Sequence, residues 1–129
     1  MSQIILLMIG GALGTLARYW TSLITHKWTG LEFPFGTLIV NGLGSLLIGF
    51  LWGFWERTGV SPGMKVFLFV GLLGGFTTFS RFSLETLNLF KSGQYKLALL
   101  NVAANNLISL STVVLGYFAG KFCSRWMVD

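Results

Sequence analysis

The chain has 129 residues, of which 53% are hydrophobic, 16% are aromatic and only 10% are charged, and its mean hydropathy is +0.73. A soluble domain carries about a quarter charged residues, so this composition excludes one and predicts a single integral membrane domain over residues 1–129. The one cysteine, Cys123, excludes an intramolecular disulfide and a cysteine metal cluster. The net charge of +5, spread without a basic run, does not indicate nucleic-acid binding.

Four apolar segments are predicted to cross the membrane, which gives an all-α fold. Their predicted bounds are residues 4–24, 36–55, 66–90 and 97–122. Each is long enough for a bilayer core. The third is predicted to be broken at its centre.

The first span carries small residues and one cation on a single face. Gly10, Gly14 and Arg18 recur at steps of four, and a small residue every fourth position is typical of close helix packing. Arg18 has two interpretations. It extends to the membrane surface, or it attracts anions at a vestibule.

The second span has a small and polar stripe, made of Thr37, Asn41, Ser45, Gly49 and Gly53 at steps of four. A buried amide in lipid needs hydrogen-bond partners. Asn41 is therefore either a link between helices or an amide donor that faces a pore.

The third span is a poor helix in its middle, where Gly74-Gly75 and Thr77-Thr78 are followed by Ser80 and Ser83. Adjacent glycines weaken a helix, and hydroxyl side chains compete for its hydrogen bonds. The stretch is interpreted either as a broken helix at an ion site, where freed carbonyls and helix ends hold ions, or as a flexible packing helix.

Two further pairs follow this break. Phe79 and Phe82 lie one turn apart, and the edge of a phenyl ring is positive. Arg81 and Glu85 lie four residues apart. They form either a functional intramembrane pair or a salt bridge near the end of the span.

The fourth span carries a row of neutral polar side chains at helical spacing: Asn101, Asn105, Ser109, and Thr112 or Val113. A row of hydroxyls and amides without a charge favours a lined path. The spans contain no catalytic triad, paired carboxylates or phosphate loop, so an enzyme is not expected. Donors without acidic groups favour an anion over a cation, but they do not identify the ion.

The charges outside the spans give almost no orientation bias. With four spans, one side carries Arg57, Lys65, Lys121 and Arg125, and the other carries Lys27, Lys91 and Lys96, with Arg18 if it reaches that surface. Orientation follows such a bias. A chain without one is predicted to insert both ways, so that two copies can pair around an axis in the membrane plane.

Three segments together resemble the CrcB/Fluc family of fluoride ion channels, and the resemblance covers the whole chain. They are Gly10-Gly11-Ala12-Leu13-Gly14-Thr15-Leu16-Ala17-Arg18, Pro34-Phe35-Gly36-Thr37-Leu38-Ile39-Val40-Asn41, and Gly74-Gly75-Phe76-Thr77-Thr78-Phe79-Ser80 with Phe82-Ser83. The resemblance implies passive, selective fluoride export across a bacterial-type plasma membrane, which relieves fluoride toxicity. It also implies an antiparallel, dual-topology homodimer with two pores.

The resemblance assigns roles to particular residues. It implies a structural sodium ion at the dimer centre, held by the backbone carbonyls of Gly74 and Thr77. Arg18 is expected at the vestibule. The implied pore-lining residues are Asn41, Phe79, Phe82, Thr37, Ser80, Ser83, Asn105, Ser109 and Thr112.

The chain departs from the family pattern at Val113, where a polar track residue can stand, and at Arg81, where a small Ser or Thr is usual. Two other functions are considered. A small dual-topology proton-coupled exporter needs an embedded carboxylate, and Glu85 lies late in its span. A non-transporting subunit of a membrane complex accounts for the small-residue faces but not for the polar rows.

Overall fold

A computed structural model describes residues 2–30 and 32–128, which form helices joined by short turns, with no strand among them. Helix α1 spans Ser2–Thr29 and α2 spans Phe35–Thr58. Pro34 directly precedes α2, where its missing N–H leaves no helical bond unmade. Gly59 ends α2 with a positive φ of 73°, and its N–H donates to Trp55 O.

The third apolar unit, Pro62–Lys91, is not a single α-helix. It contains α3 (Pro62–Lys65), a π-helical segment (Val66–Leu73), α4 (Gly74–Phe76) and α5 (Phe79–Lys91). Between α4 and α5, Thr77 and Thr78 are extended, with ψ of 155° and 116°. We refer to these two residues as the break.

The last helix, α6, spans Tyr95–Val128 after a turn at Gly93, whose φ is 78°. Four helical units are thus long and apolar enough to cross a membrane. Each contains one of the predicted spans. The predicted all-α fold with four spanning helices and a broken third helix is confirmed.

Glycines allow close approach along two seams. In the first seam, α1 meets the third unit through Gly10, Gly14, Gly71 and Gly75. In the second seam, α2 meets α6 through Gly49, Gly53, Gly116 and Gly120. A methyl group at any of these positions would press on backbone atoms of the facing helix. The small-residue faces predicted in spans one and two are therefore packing faces.

The interior of the single chain is more polar than its surface. The largest fully buried side chains are Val40, Asn101, Thr37 and Ser124, and three of these four are polar. Large apolar side chains of all four units are exposed, as lipid-facing residues should be. This arrangement places the polar side chains of α2 and α6 beside the break.

Candidate functional site

The side chain of Asn41 holds the break from α2. The Thr78 N–H donates to Asn41 Oδ1 at 2.8 Å, and Asn41 Nδ2 donates to Thr78 O at 3.1 Å. These two bonds replace helical bonds that the break removes, which lipid could not replace. The Thr78 hydroxyl in turn accepts from Arg81 N–H at 3.2 Å and caps α5.

The break also frees backbone carbonyls. The hydroxyl and N–H of Thr77 both donate to Leu73 O, each at 3.0 Å. Among the described residues, no hydrogen bond reaches the carbonyl oxygens of Gly74 and Thr77. Gly74 is exposed on the surface of the single chain. Unwound carbonyls of this kind coordinate sodium in broken membrane helices, so these two residues fit the cation role that the resemblance implies.

Arg18 contacts the same segment. Its Nε donates to Gly75 O at 3.1 Å, and the residue is half-buried. The structure therefore places this guanidinium against the backbone next to the break, where it satisfies one more carbonyl. Arg18 therefore bonds the protein backbone and does not extend toward the membrane surface.

A row of side-chain amides continues from Asn41 into α6. Asn41 Nδ2 donates to Asn105 Oδ1 at 3.1 Å. Asn105 Nδ2 donates to Asn101 Oδ1 at 2.8 Å, and Asn101 Nδ2 donates to Thr86 Oγ1 at 2.9 Å. Asn101 and Asn105 are 0% and 5% exposed. In each bond the residue nearer the break is the donor, and the row ends at Thr86 of α5.

The break, α2 and α6 enclose a groove of about 380 Å³. The predicted site residues that line it are Asn41, Gly74, Thr77, Phe79, Phe82, Asn105 and Ser109. No charged side chain is among its described lining residues. We call it the break groove.

The two phenylalanines lie side by side in this groove, with ring centroids 5.2 Å apart and an interplanar angle of 52°. Their exposures differ sharply. Phe82 is 7% exposed, whereas Phe79 is 74% exposed on the single chain. Phe82 is thus fixed by its own chain, and Phe79 extends outward.

Other predicted pore residues lie outside the break groove. Thr37 is 2% exposed and donates to Glu85 Oε1 at 2.9 Å. The same oxygen accepts from Arg81 Nε at 2.8 Å. Ser80 Oγ lies 3.3 Å from Thr78 Oγ1.

The hydroxyls of Ser83 and Thr112 donate to backbone carbonyl oxygens. Ser83 donates to Phe79 O within α5, at 2.9 Å, and it lines a separate apolar depression between α5 and α6. Thr112 donates to Gly42 O at 3.0 Å and so joins α6 to α2. Val113 turns its carbonyl toward Gly49 in the α2–α6 seam.

Two members of the row of side chains from Asn41 to Thr86, namely Asn101 and Thr86, were not among the predicted site residues. Asn101 belongs to the row that the four-residue spacing indicated, so its position was visible in the sequence. Thr86 gave no such signal, because Phe82 and Phe90, four residues before and after it, are apolar and no polar row includes it. Its role depends on α6 lying beside α5.

The chain is similar in sequence to known proteins over most of its length. A family profile described as "CrcB-like protein, Camphor Resistance (CrcB)" matches residues 5–117. A protein of Parabacteroides distasonis is 48% identical over 121 residues, which cover 94% of each chain. One of Dehalococcoides mccartyi is 47% identical over 127 residues, or 97% of each chain.

A third relative, from Pyrococcus abyssi, is 43% identical over 118 residues, which cover 91% of this chain and 94% of the relative. All three relatives bear the name "Fluoride-specific ion channel FluC", which describes a channel and not an enzyme. With four spanning helices, the chain is a multi-pass membrane protein. The resemblance predicted from the sequence is confirmed, and the chain belongs to the CrcB-like family.

Proposed function

We propose that this chain forms a fluoride-selective channel that lets fluoride leave the cell passively and so reduces its toxicity. The observation that carries the proposal is the break groove, an uncharged cleft where amides, hydroxyls and two phenyl rings meet a broken helix. An anion only accepts hydrogen bonds, and such a lining offers donors and positive ring edges. The names of the full-length relatives support fluoride as the anion.

The side chains act on fluoride by replacing its water. Arg18 adds positive potential at the vestibule. Asn41, the edges of Phe79 and Phe82, and the polar track of α6 then substitute for lost water molecules. Both amide hydrogens of Asn41 are already bonded, to Thr78 O and Asn105 Oδ1. Fluoride therefore competes with these two neutral oxygen atoms for the amide group of Asn41, which their hydrogen bonds already hold in position.

We further propose that the carbonyls of Gly74 and Thr77 hold a structural sodium ion, with the same atoms of a second copy. The lack of hydrogen bonds to these carbonyls supports this role. When bound, sodium supplies positive charge that offsets the carbonyl dipoles of the break. The exposure of Gly74 leaves its carbonyl open to a second chain.

The proposed assembly is an antiparallel homodimer with two pores. The charge distribution supports this assembly, since the number of basic residues is nearly equal on the two sides of the spans, four on one and three on the other. Arg18 and Arg81 are left out of this count because both are bonded within the spans. A chain without a charge bias inserts in both orientations. In the resulting dimer, the exposed Phe79 of each copy would contact the other copy.

The test is fluoride efflux from liposomes that contain only this protein, read with a fluoride electrode, with chloride efflux as the control. Fast loss of fluoride without loss of chloride is expected. Absence of fluoride efflux from correctly folded protein would contradict the proposal.

Phe82→Ile tests the role of the buried ring in the same assay. The variant removes the aromatic edge while it keeps an apolar side chain at a buried position. We expect fluoride flux to be abolished or strongly reduced, with assembly unchanged by size-exclusion chromatography. Near-normal flux would remove Phe82 from the pathway.

A proton-coupled exporter is the second candidate, because Glu85 is a carboxylate within the third unit. Its Oε1 is held by Thr37 and Arg81, which favours a structural role. Efflux that requires a proton gradient would support the exporter. Efflux driven by the fluoride gradient alone supports the channel.

A further inference from the structure

Helix α5 carries both phenylalanines but has little apolar contact with the rest of the chain. Only Phe82 and Leu89 are buried among its 13 residues. The large apolar side chains on the rest of its surface, Phe79, Leu84, Leu87 and Phe90, are exposed. Something other than an apolar core must therefore fix the orientation of this half-helix.

Three polar contacts attach α5 to its neighbours. At its start, Asn41 of α2 holds the Thr78 peptide. At its second turn, Glu85 accepts from Thr37 of α2. One residue later, Thr86 accepts from Asn101 of α6, and this is the one described side-chain hydrogen bond between α5 and α6.

The contact between Thr86 and Asn101 is fixed at both ends. The Thr86 hydroxyl donates to Phe82 O at 2.8 Å, so its lone pair faces Asn101 Nδ2 at 2.9 Å. Asn101 is 0% exposed, and its Oδ1 accepts from Asn105. Neither side chain can turn without leaving a buried polar atom unpaired, which is unfavourable.

We propose that Thr86 and Asn101 are positioning residues for the phenylalanine pair and that their hydrogen bond sets the selectivity of the path for fluoride over a larger halide. Thr86 lies one helical turn after Phe82 and bonds its carbonyl. Displacement of this turn from α6 would move the buried ring. A site that discriminates between ions by size needs its groups held within about 0.5 Å. The inference rests on the proposed fluoride conduction.

Thr86→Val and Thr86→Ser form the deciding pair of variants. Valine keeps the shape of threonine and removes the hydroxyl, whereas serine keeps the hydroxyl. The ratio of fluoride to chloride efflux from liposomes is expected to fall about fivefold in Thr86→Val, the size of effect expected from one lost hydrogen bond. Thr86→Ser should restore it. Thr21→Val is the matched control, since the Thr21 hydroxyl bonds only Ala17 O of its own helix.

A second measurement does not depend on flux. Backbone amide exchange over residues 79–91, followed by mass spectrometry in detergent, should be faster in Thr86→Val and in Asn101→Ala than in the native chain. Exchange over residues 35–58 of α2 should be unchanged. An unchanged efflux ratio with unchanged exchange would overturn the inference.

The outcomes separate this inference from the proposed function. If the native chain passes no fluoride, the proposed function fails. If the native chain is selective and Thr86→Val is equally selective, the selectivity role of the contact fails and the proposed function stands. Faster exchange with an unchanged efflux ratio would also overturn the selectivity role and leave the contact purely structural.

Discussion

At the scale of single residues, the position of the Asn41 side chain is compatible with both hypotheses made for it. It links helices, because it bonds the break and Asn105. It also lines the break groove. The structural role and the proposed role coincide because in lipid the groups freed by a broken helix must be satisfied by protein, and the side chain that does so lies at the break.

Asn41→Ala should therefore lower both stability and flux. The substitution leaves the Thr78 N–H without its partner, and an unpaired buried donor costs about 1–3 kcal/mol. The thermal midpoint in detergent and fluoride efflux are the measurements. Asn88→Ala, at an exposed position of α5, is the control. An unchanged midpoint would show that Asn41 does not hold the break.

Arg81 stands where the resemblance implies a small Ser or Thr, yet its removal should have little effect. Its side chain is 49% exposed and forms an (i, i+4) pair with Glu85. Thr37 continues to donate to Glu85 when Arg81 is absent. Fluoride efflux of Arg81→Ser should stay within about twofold of native. A loss of tenfold or more would give Arg81 a direct part in conduction.

At the scale of helices, glycine positions decide how closely the spans approach. Gly14 and Gly11 lie in the same helix but differ in surroundings. A methyl group at Gly14 would overlap the backbone of Leu72, whereas one at Gly11 would meet nothing within 4 Å. The four-residue spacing of Gly10 and Gly14 thus marks the packing face of span one, and Gly11, which lies outside that spacing, is off this face.

Gly14→Ala is expected to destabilise the protein, and Gly11→Ala is its matched control. Overpacking of a close contact costs about 1–3 kcal/mol. Because α1 packs on the segment that leads into the break, displacement there should also reduce fluoride efflux. Thermal midpoints of the two variants give the comparison. Equal midpoints would mean that the seam between α1 and the third unit is not tightly packed.

At the scale of the whole molecule, a single chain leaves two of the predicted site residues on its surface. The ring of Phe79 and the backbone of Gly74 are exposed, while the polar interior is small. A second copy in the opposite orientation would cover both. The near-balance of basic residues on the two sides agrees with that assembly.

A tag at the C-terminus tests the orientation. In membranes that hold dual-topology dimers, the tag should be accessible to protease from each side in about equal amounts, because the charge bias that orients a chain is nearly absent. Sealed vesicles of known orientation provide the measurement. A tag found on one side only would rule out the antiparallel dimer.

The sequence by itself determined the class, the four spans, the break in the third and the family. The class, the spans and the break follow from local properties, since hydropathy, paired glycines and hydroxyls near them act on their own segment of the chain, and the family follows from the motifs that resemble it. The row of Asn101 and Asn105 was likewise visible as a helical spacing. Each of these features needs no knowledge of which helices touch.

Only the tertiary structure decided how the donors are used. In the folded chain, Arg18 donates a hydrogen bond to Gly75 O, Thr112 to Gly42 O and Thr37 to Glu85. The fold also brings Thr86 against Asn101 across 15 positions of sequence. A hydrogen bond depends on which faces of two helices meet and at what depth. Close glycine seams set these quantities for α1 on the third unit and for α2 on α6, and the residues of one span do not encode them alone.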